Sequence, residues 1–221
     1  MSQPWHRANP ALFDQEKAEV EGAHATLHFY VANDAVLVRG TFLIAFEREV
    51  FDRYRIEVEL LRDYPRSIPV VREMGGRIPL TADRHMNPAD GTACVLLPDE
   101  RWRAWPQGST FLQFLDGPVR NFFLGQSLVE LGDPWPFGHW GHGASGIREY
   151  YAELLGTDDT RAITGYLDCL SKKKIKGHWS CPCRSGKHLR DCHWALVRDL
   201  VTKIPRQVAA QSFEKLRDKY G

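Results

Sequence analysis

The spacing of the five cysteines separates them into two kinds of candidate site. Three of them lie between Cys181 and Cys192, whereas Cys94 and Cys169 stand apart. The N-terminal residues lack the basic and then apolar pattern of a secretory signal, so we expect a cytoplasmic protein with reduced thiols. An odd number of cysteines in that setting favours metal ligation or thiol chemistry over a disulfide framework.

Cys94 belongs to a polar segment, residues 85–97, inside a longer stretch without clear periodicity. Long irregular stretches in compact domains more often serve a function than not. A thiolate is the nucleophile that takes over an activated acyl group, and a cysteine at the reference pKa of ~8.5 is partly ionised at neutral pH. We therefore interpret Cys94 as a reactive cysteine; the alternative is a structural thiol buried in a core.

The residues around this cysteine resemble the active-site stretch of ubiquitin-conjugating enzymes, in which a His-Pro-Asn tripeptide precedes a Gly-x-Ile-Cys-Leu run. Here Gly91-Thr92-Ala93-Cys94-Val95 is similar to the run, and His85-Met86-Asn87 is similar to the tripeptide. The resemblance implies that Cys94 carries an acyl group as a thioester and that Asn87 donates to the developing oxyanion. His85 is a candidate catalytic residue that either transfers protons or, as we favour, braces the loop through hydrogen bonds. One well-placed donor of this kind lowers such a barrier by about 3 kcal/mol.

Two further elements follow the order of that family. Asp63-Tyr64-Pro65 with Ile68-Pro69 resembles its Tyr-Pro-x-x-Pro-Pro element, and Trp102 ahead of a helix near Phe111 resembles its tryptophan and helix after the cysteine. The similarity spans roughly residues 11–155. It implies an acyl transferase that accepts a ubiquitin-like modifier from a ubiquitin-activating-type enzyme and transfers it to an amine on a target protein.

The aromatic and glycine-rich passage 136–143 resembles bacterial relatives of these enzymes, which often occur in anti-phage defence operons beside a ubiquitin-activating-type partner. The resemblance therefore implies a role in anti-phage defence. His139 and His142 lie in this passage. They either belong to a site or, as we favour, pack as loop histidines against Trp135 and Trp140.

Two other functions stay open. A ubiquitin-conjugating-type fold can serve as a non-catalytic adaptor that binds proteins, although such relatives commonly lose the cysteine that this chain retains. A cysteine hydrolase that pairs Cys94 with His85, His139 or His142 is the weaker alternative, because no papain-like or caspase-like signature surrounds Cys94.

The C-terminal cysteines and one histidine form a C-x-C-x8-C-H arrangement that offers four zinc ligands: Cys181, Cys183, Cys192 and His193. Four protein ligands leave no coordination position for substrate, so we predict a structural, tetrahedral Zn2+. The sequence Cys-Pro-Cys-Arg-Ser-Gly-Lys closely resembles the SEC-C motif, with Arg184 where glycine is usual. Such a metal would stabilise a tail that is too small to fold by itself; the alternative is a set of metal-free cysteines.

The pattern of apolar residues predicts an α+β fold. A helix over residues 11–24 precedes a four-stranded antiparallel meander in sequence order, which includes the alternating run from Tyr54 to Leu60. Helices follow from Phe111, with Ser109 as N-cap, and over 147–155. Another helix contains Ile163, Leu167 and Leu170, with a cap near Thr157 or Asp158, and a last one lies at the C-terminus. We divide the chain into a ubiquitin-conjugating-type domain, residues 1–170, and a zinc module with a C-terminal helix, residues 171–221.

Composition limits the partners. No stretch approaches the ~20 apolar residues of a membrane span, and a net charge of +1 gives no overall field for nucleic acid, so we expect neither a membrane nor a nucleic-acid partner. The basic residues Lys172–Lys176, with Lys187 and Arg190, either contact phosphate or a partner protein or form a solvated linker, which we favour.

Overall fold

A computed structural model describes residues 3–32, 34–47, 49–138, 141 and 143–220. The chain forms two compact units: the first comprises Met1–Leu96 and Arg103–Phe137, and the second comprises Leu97–Trp102 and Gly138–Gly221. The sequence suggested a different division, with one domain over residues 1–170 and a second over residues 171–221. The helix that ends at Ser171 packs into the same core as the cysteine-rich tail, so the second unit begins earlier.

The first unit contains one four-stranded antiparallel sheet with strand order β1-β2-β3-β4, which confirms the predicted meander. Val38 of the second strand lies opposite Val58 of the third, and Val58 lies opposite Val71 of the fourth. The strand register shifts once, between Ile44 and Ala45. The bounds are β1 (Leu27–Ala32), β2 (Ala35–Phe46), β3 (Glu49–Leu60) and β4 (Val70–Glu73).

Alternation along β3 determines which face of the sheet meets the core. Tyr54, Ile56, Val58 and Leu60 are buried, as successive side chains of a strand point to opposite faces. The opposite face carries charge: Glu57 accepts a hydrogen bond of 2.7 Å from Arg39 on the neighbouring strand. The face of the sheet opposite the core therefore carries charged side chains that pair across the strands.

Helices surround this sheet in the first unit. A capping box starts the helix at Phe111: the Thr110 hydroxyl accepts from the Gln113 backbone N–H, and the Gln113 side-chain Oε1 accepts from the Thr110 backbone N–H. The N-cap is thus Thr110 and not Ser109 as predicted. Pro118 lies in a π-helical turn, Leu115–Val119, where its missing N–H interrupts the regular ladder. The helices before residue 137 are α1 (Trp5–Ala8), α2 (Pro10–Ala23), α3 (Arg101–Ala104), α4 (Phe111–Phe114) and α5 (Arg120–Glu130).

The second unit is helical. The Asp159 side chain accepts from the Arg161 N–H and caps a helix, so this cap lies just beyond the predicted Thr157 or Asp158. Ile163, Leu167 and Leu170 are buried at helical spacing, as predicted. The helices are α6 (Ala144–Leu155), α7 (Thr160–Ser171), α8 (Trp194–Lys203) and α9 (Arg206–Tyr220).

Among the described residues, none of the helices combines the length and apolar character that a membrane crossing requires.

Candidate functional site

The three residues singled out near Cys94 lie on one short β-hairpin. Met86 and Ala93 form an antiparallel bridge. On either side of it, the Asn87 N–H donates to the Thr92 carbonyl (2.8 Å), and the Cys94 N–H donates to the His85 carbonyl (2.8 Å). The structure therefore brings His85, Asn87 and Cys94 together through backbone pairing.

The hairpin extends the sheet beyond β4. Thr92 bridges to Arg72, and the Ala93 N–H donates to the Val71 carbonyl at 2.8 Å. Gly91 closes the turn with φ of +67°, a left-handed conformation that favours glycine. The position of the segment that carries Cys94 is thus determined by the edge of a packed sheet.

Cys94 itself is exposed, whereas its neighbours are anchored. Ala93, Val95 and Leu96 are partly buried and pack against the core of the first unit. A side chain held in this way presents its sulfur to solvent at a fixed place, because the backbone on both sides cannot drift far from the core. This exposure is opposite to that expected of a structural thiol.

The Asn87 side chain is used within the turn. Its Oδ1 accepts from the Ala89 N–H at 3.2 Å, and the carboxamide also hydrogen-bonds the Asp90 carboxylate. Hydrogen bonds from the Thr92 hydroxyl and amide, together with that of Asn87, hold the pKa of Asp90 below its ordinary value. The carboxamide is therefore oriented by its own loop, and it has a second N–H to donate.

His85 is buried, and its ring packs on Trp135 with ring centroids 4.3 Å apart. The preceding residue is tied to α5: the Arg84 Nε donates to the Gln126 Oε1 (2.8 Å), and the Gln126 Nε2 donates to the Arg84 carbonyl (2.6 Å). These contacts fit the role of bracing the loop that the sequence suggested for His85.

Trp135 reaches this position because Gly125 has no side chain. A Cβ on Gly125 would lie 2.7 Å from the indole ring, closer than real contacts allow. The contacts of Gln126 with Arg84 and of Trp135 with His85 could not be predicted from the sequence, since they join residues 42 and 50 positions apart. The turn itself has a local signal, because Asn, Pro, Asp and Gly at 87–91 are residues that favour turns.

His139 and His142, proposed as alternatives for catalysis, lie outside the described residues.

A second candidate site lies in the other unit, where all four predicted metal ligands converge. The Nδ1 of His193 is 3.2 Å from the sulfurs of Cys181 and Cys192, and the sulfurs of Cys183 and Cys192 are 3.6 Å apart. All four ligand atoms lie within 4.8 Å of one another. A tetrahedral zinc with bonds of about 2.0–2.3 Å places its ligand atoms about 3.5–3.8 Å apart, within a few tenths of an ångström of the three separations above. This group could therefore hold a metal ion and is compatible with zinc.

The cysteines of this group differ in burial and in acidity. Burial raises the pKa of the Cys181 thiol to about 11, and further contributions come from the neighbouring cysteines. Burial also acts to raise the pKa of Cys183, but hydrogen bonds from the Ser185 hydroxyl and amide outweigh it and lower the pKa to about 6. A cation is the ordinary means of holding such crowded sulfurs as thiolates.

The ligand loops are fastened to α7. Arg184 forms an ion pair with Asp159, the N-cap residue of this helix, at 3.2 Å. The Tyr166 ring meets the His193 ring edge to face with centroids 6.0 Å apart. Leu189, which lies in the sequence between the first two ligands and the last two, is completely buried in the core. The cluster is therefore an integral part of a helical unit, and not a separate tail.

No protein-family model, curated protein or solved structure matches this chain.

Cys169 is not part of either site. It lies on α7, is 5% exposed, and burial raises the pKa of its thiol to about 11. A thiol with these properties is neither an accessible nucleophile nor a ligand of the cluster.

Proposed function

We propose that this protein is a ubiquitin-conjugating-type acyl transferase whose Cys94 carries the C-terminus of a ubiquitin-like modifier as a thioester. The observation that carries the proposal is the exposure of Cys94 between anchored neighbours on a hairpin that also holds His85 and Asn87. Acyl exchange needs a sulfur that two large proteins can approach in turn, which this placement provides.

The proposed reaction has two steps. The Cys94 thiolate attacks the modifier's C-terminal carbonyl on a ubiquitin-activating-type enzyme, an S–C bond forms, and the activating enzyme's thiolate leaves. A target amine then attacks the same carbonyl, the C–S bond breaks, an amide forms, and the amine proton passes to solvent. Negative charge develops on the carbonyl oxygen in both steps, and the second N–H of Asn87 is the donor proposed to stabilise it.

In the same proposal the cysteine and histidine cluster of the second unit binds one Zn2+. Cys181, Cys183, Cys192 and His193 supply the three sulfurs and one nitrogen that zinc prefers at structural sites, where all four coordination positions belong to the protein. The ion would supply cross-linking of the loops and no chemistry toward the acyl group.

The test of the thioester uses wild type, Cys94→Ala and, as a matched control, Cys169→Ala. Each is incubated with a purified ubiquitin-activating-type enzyme, a ubiquitin-like modifier, ATP and magnesium. We expect an adduct sensitive to reductant on wild type and on Cys169→Ala, and none on Cys94→Ala. If wild type forms no such adduct, or if Cys94→Ala forms it equally well, the proposal is overturned.

The role of Asn87 is tested on protein charged chemically, by exchange of Cys94 with a peptide thioester that ends in Gly-Gly. Discharge to free lysine is then followed by intact mass. We expect Asn87→Ala to slow discharge by about 10²-fold or more, since one oxyanion donor contributes that much. Ala also removes the turn acceptor for the Ala89 N–H, so a second variant is needed.

The double substitution Asn87→Asp with Asp90→Asn provides that variant, because it keeps an acceptor at residue 87 and a carboxylate–carboxamide pair in the turn. It removes the N–H donor at residue 87. Slow discharge in the double variant as well as in Asn87→Ala supports an oxyanion role. Discharge at the wild-type rate in both variants would restrict Asn87 to holding the turn.

A further inference from the structure

The segment between α7 and α8 carries an unusual concentration of positive charge. Residues 172–190 contain seven lysines and arginines, two histidines and no aspartate or glutamate. The whole chain has a net charge of only +1, so the remaining residues are net negative. The overall balance, from which we expected no nucleic-acid partner, therefore conceals a strongly basic region.

This region is folded and is not a linker. The Leu189 N–H donates to the Trp179 carbonyl (2.7 Å), the Arg190 N–H donates to the Gly177 carbonyl (2.9 Å), and Ser180 and His188 form an antiparallel bridge. Residues 177–181 and 187–190 thus pair as two short strands, and we call the whole segment 172–190 the ribbon. Ile175 and Trp179 pack against the core of the second unit, so the basic side chains project from a fixed scaffold and not from the solvated linker that the sequence favoured.

Several of these cations have no acidic partner. Lys172, Arg184 and Arg190 form ion pairs with Asp168, Asp159 and Asp191. Four exposed lysines of the segment form no ion pair with any residue that the structure describes: Lys173, Lys174, Lys176 and Lys187. Unpaired cations that share one folded ribbon repel one another, and an anionic partner relieves that repulsion.

The chemistry of the ribbon indicates which anionic partner fits. None of the large apolar side chains that are exposed among the described residues lies within 172–190. Protein interfaces place apolar and aromatic residues at their centre and are depleted of lysine there, whereas nucleic-acid interfaces are polar and strongly positive. We propose that residues 172–190 form a surface that binds the phosphate backbone of nucleic acid, without reading its bases.

The test measures binding of the full-length protein, as isolated, to fluorescein-labelled 20-nucleotide oligo(U) RNA and oligo(dT) DNA by fluorescence anisotropy. The variant is Lys174→Glu with Lys187→Glu. The charge-matched control is Arg53→Glu with Arg198→Glu, which changes two exposed arginines outside the ribbon. Each lysine that neutralises a single-strand phosphate contributes about 0.7 to the slope of log K against log salt.

We expect the ribbon variant to bind at least about tenfold more weakly at low salt, with a slope reduced by about 1.4, and the control to bind like wild type. Binding of RNA and DNA alike, or of RNA in preference, agrees with phosphate recognition at this surface. The inference is overturned if wild type binds neither, if both variants lose affinity equally, or if polyglutamate of equal charge displaces the RNA completely. It does not depend on Cys94, so Cys94→Ala should bind as wild type does.

Discussion

The two compact units use the same amino acid in opposite ways. In the first unit Cys94 is exposed on a hairpin, and its neighbours pack against the core. In the second unit the sulfurs of Cys181, Cys183 and Cys192 converge on His193. Exposure suits the acyl exchange proposed for Cys94, whereas convergence suits the binding of a metal ion.

Cys169 shows that neither burial nor proximity in sequence is enough to make a ligand. It lies in the same core as Cys181, yet it is outside the cluster, and its thiol is neutral at ordinary pH because burial raises its pKa to about 11. The environment of each sulfur, and not the residue type, therefore separates the candidate nucleophile from the candidate ligands and from this inert thiol.

Of the changes that test this comparison, replacing one of the candidate metal ligands should have the largest effect. We expect Cys181→Ser to reduce bound zinc from one per chain to none, because one serine hydroxyl is a poor substitute for a thiolate. Loss of the ion should abolish amide protection in residues 177–193, since structural zinc contributes about 10 kcal/mol or more to small sites. Elemental analysis and hydrogen exchange measure both outcomes.

The matched control is Cys94→Ser, which should retain full zinc content and full protection in the second unit. The same protection in the two variants, with Cys181→Ser free of metal, would contradict the assignment of a structural site.

Alkylation with iodoacetamide tests the other side of the comparison. At pH 8 a thiol of pKa about 11 is ionised to only about 10⁻³, and burial hinders access further. We therefore expect Cys94 to be labelled at least about 100-fold faster than Cys169 in the native protein, as read by peptide mass spectrometry. Comparable rates at the two residues would show that the difference in exposure does not control reactivity.

Local patterns predicted much of this molecule. The alternation in β3 and the apolar spacing in α7 depend on neighbours within a few residues, and both elements are present. The four ligands were visible from spacing alone. The division into units could not be predicted in this way. Residues 97–102 belong to the second unit because Asp99 contacts helices about 50 and 113 positions further along the chain.

Those distant contacts centre on Asp99, and the first unit has a counterpart in Glu16. The Asp99 carboxylate accepts from the Tyr151 hydroxyl (2.7 Å) and the Ser212 hydroxyl (2.8 Å), and it is 2% exposed. Glu16 accepts from the Tyr64 hydroxyl (2.6 Å) and the Phe111 N–H (2.8 Å). Each unit thus joins separate segments through one buried carboxylate and one tyrosine.

Burial is the main cause that raises the pKa of Asp99 above 3.8 and that of Glu16 above 4.5. A carboxyl with a raised folded-state pKa stabilises its unit fully below the unfolded pKa, and this contribution declines as the pH rises through the folded pKa. In wild type the stability of each unit should therefore contain a component that decreases from about pH 4 upward.

The smallest effect that we predict comes from replacing one of these two carboxyl groups at a time. Each replacement removes the pH-dependent component of stability from one unit. Asp99→Asn keeps an acceptor oxygen for Tyr151 and Ser212 but cannot ionise, so protection factors in 97–102 and α9 should change less than in wild type as the pH rises from about 4. Glu16→Gln should do the same for α2 and β1 and leave α9 as in wild type. Other titrating groups contribute equally to both variants, so the difference isolates each carboxyl. If Asp99→Asn flattened the pH response of α2 as much as that of α9, the two carboxylates would not be acting on separate units.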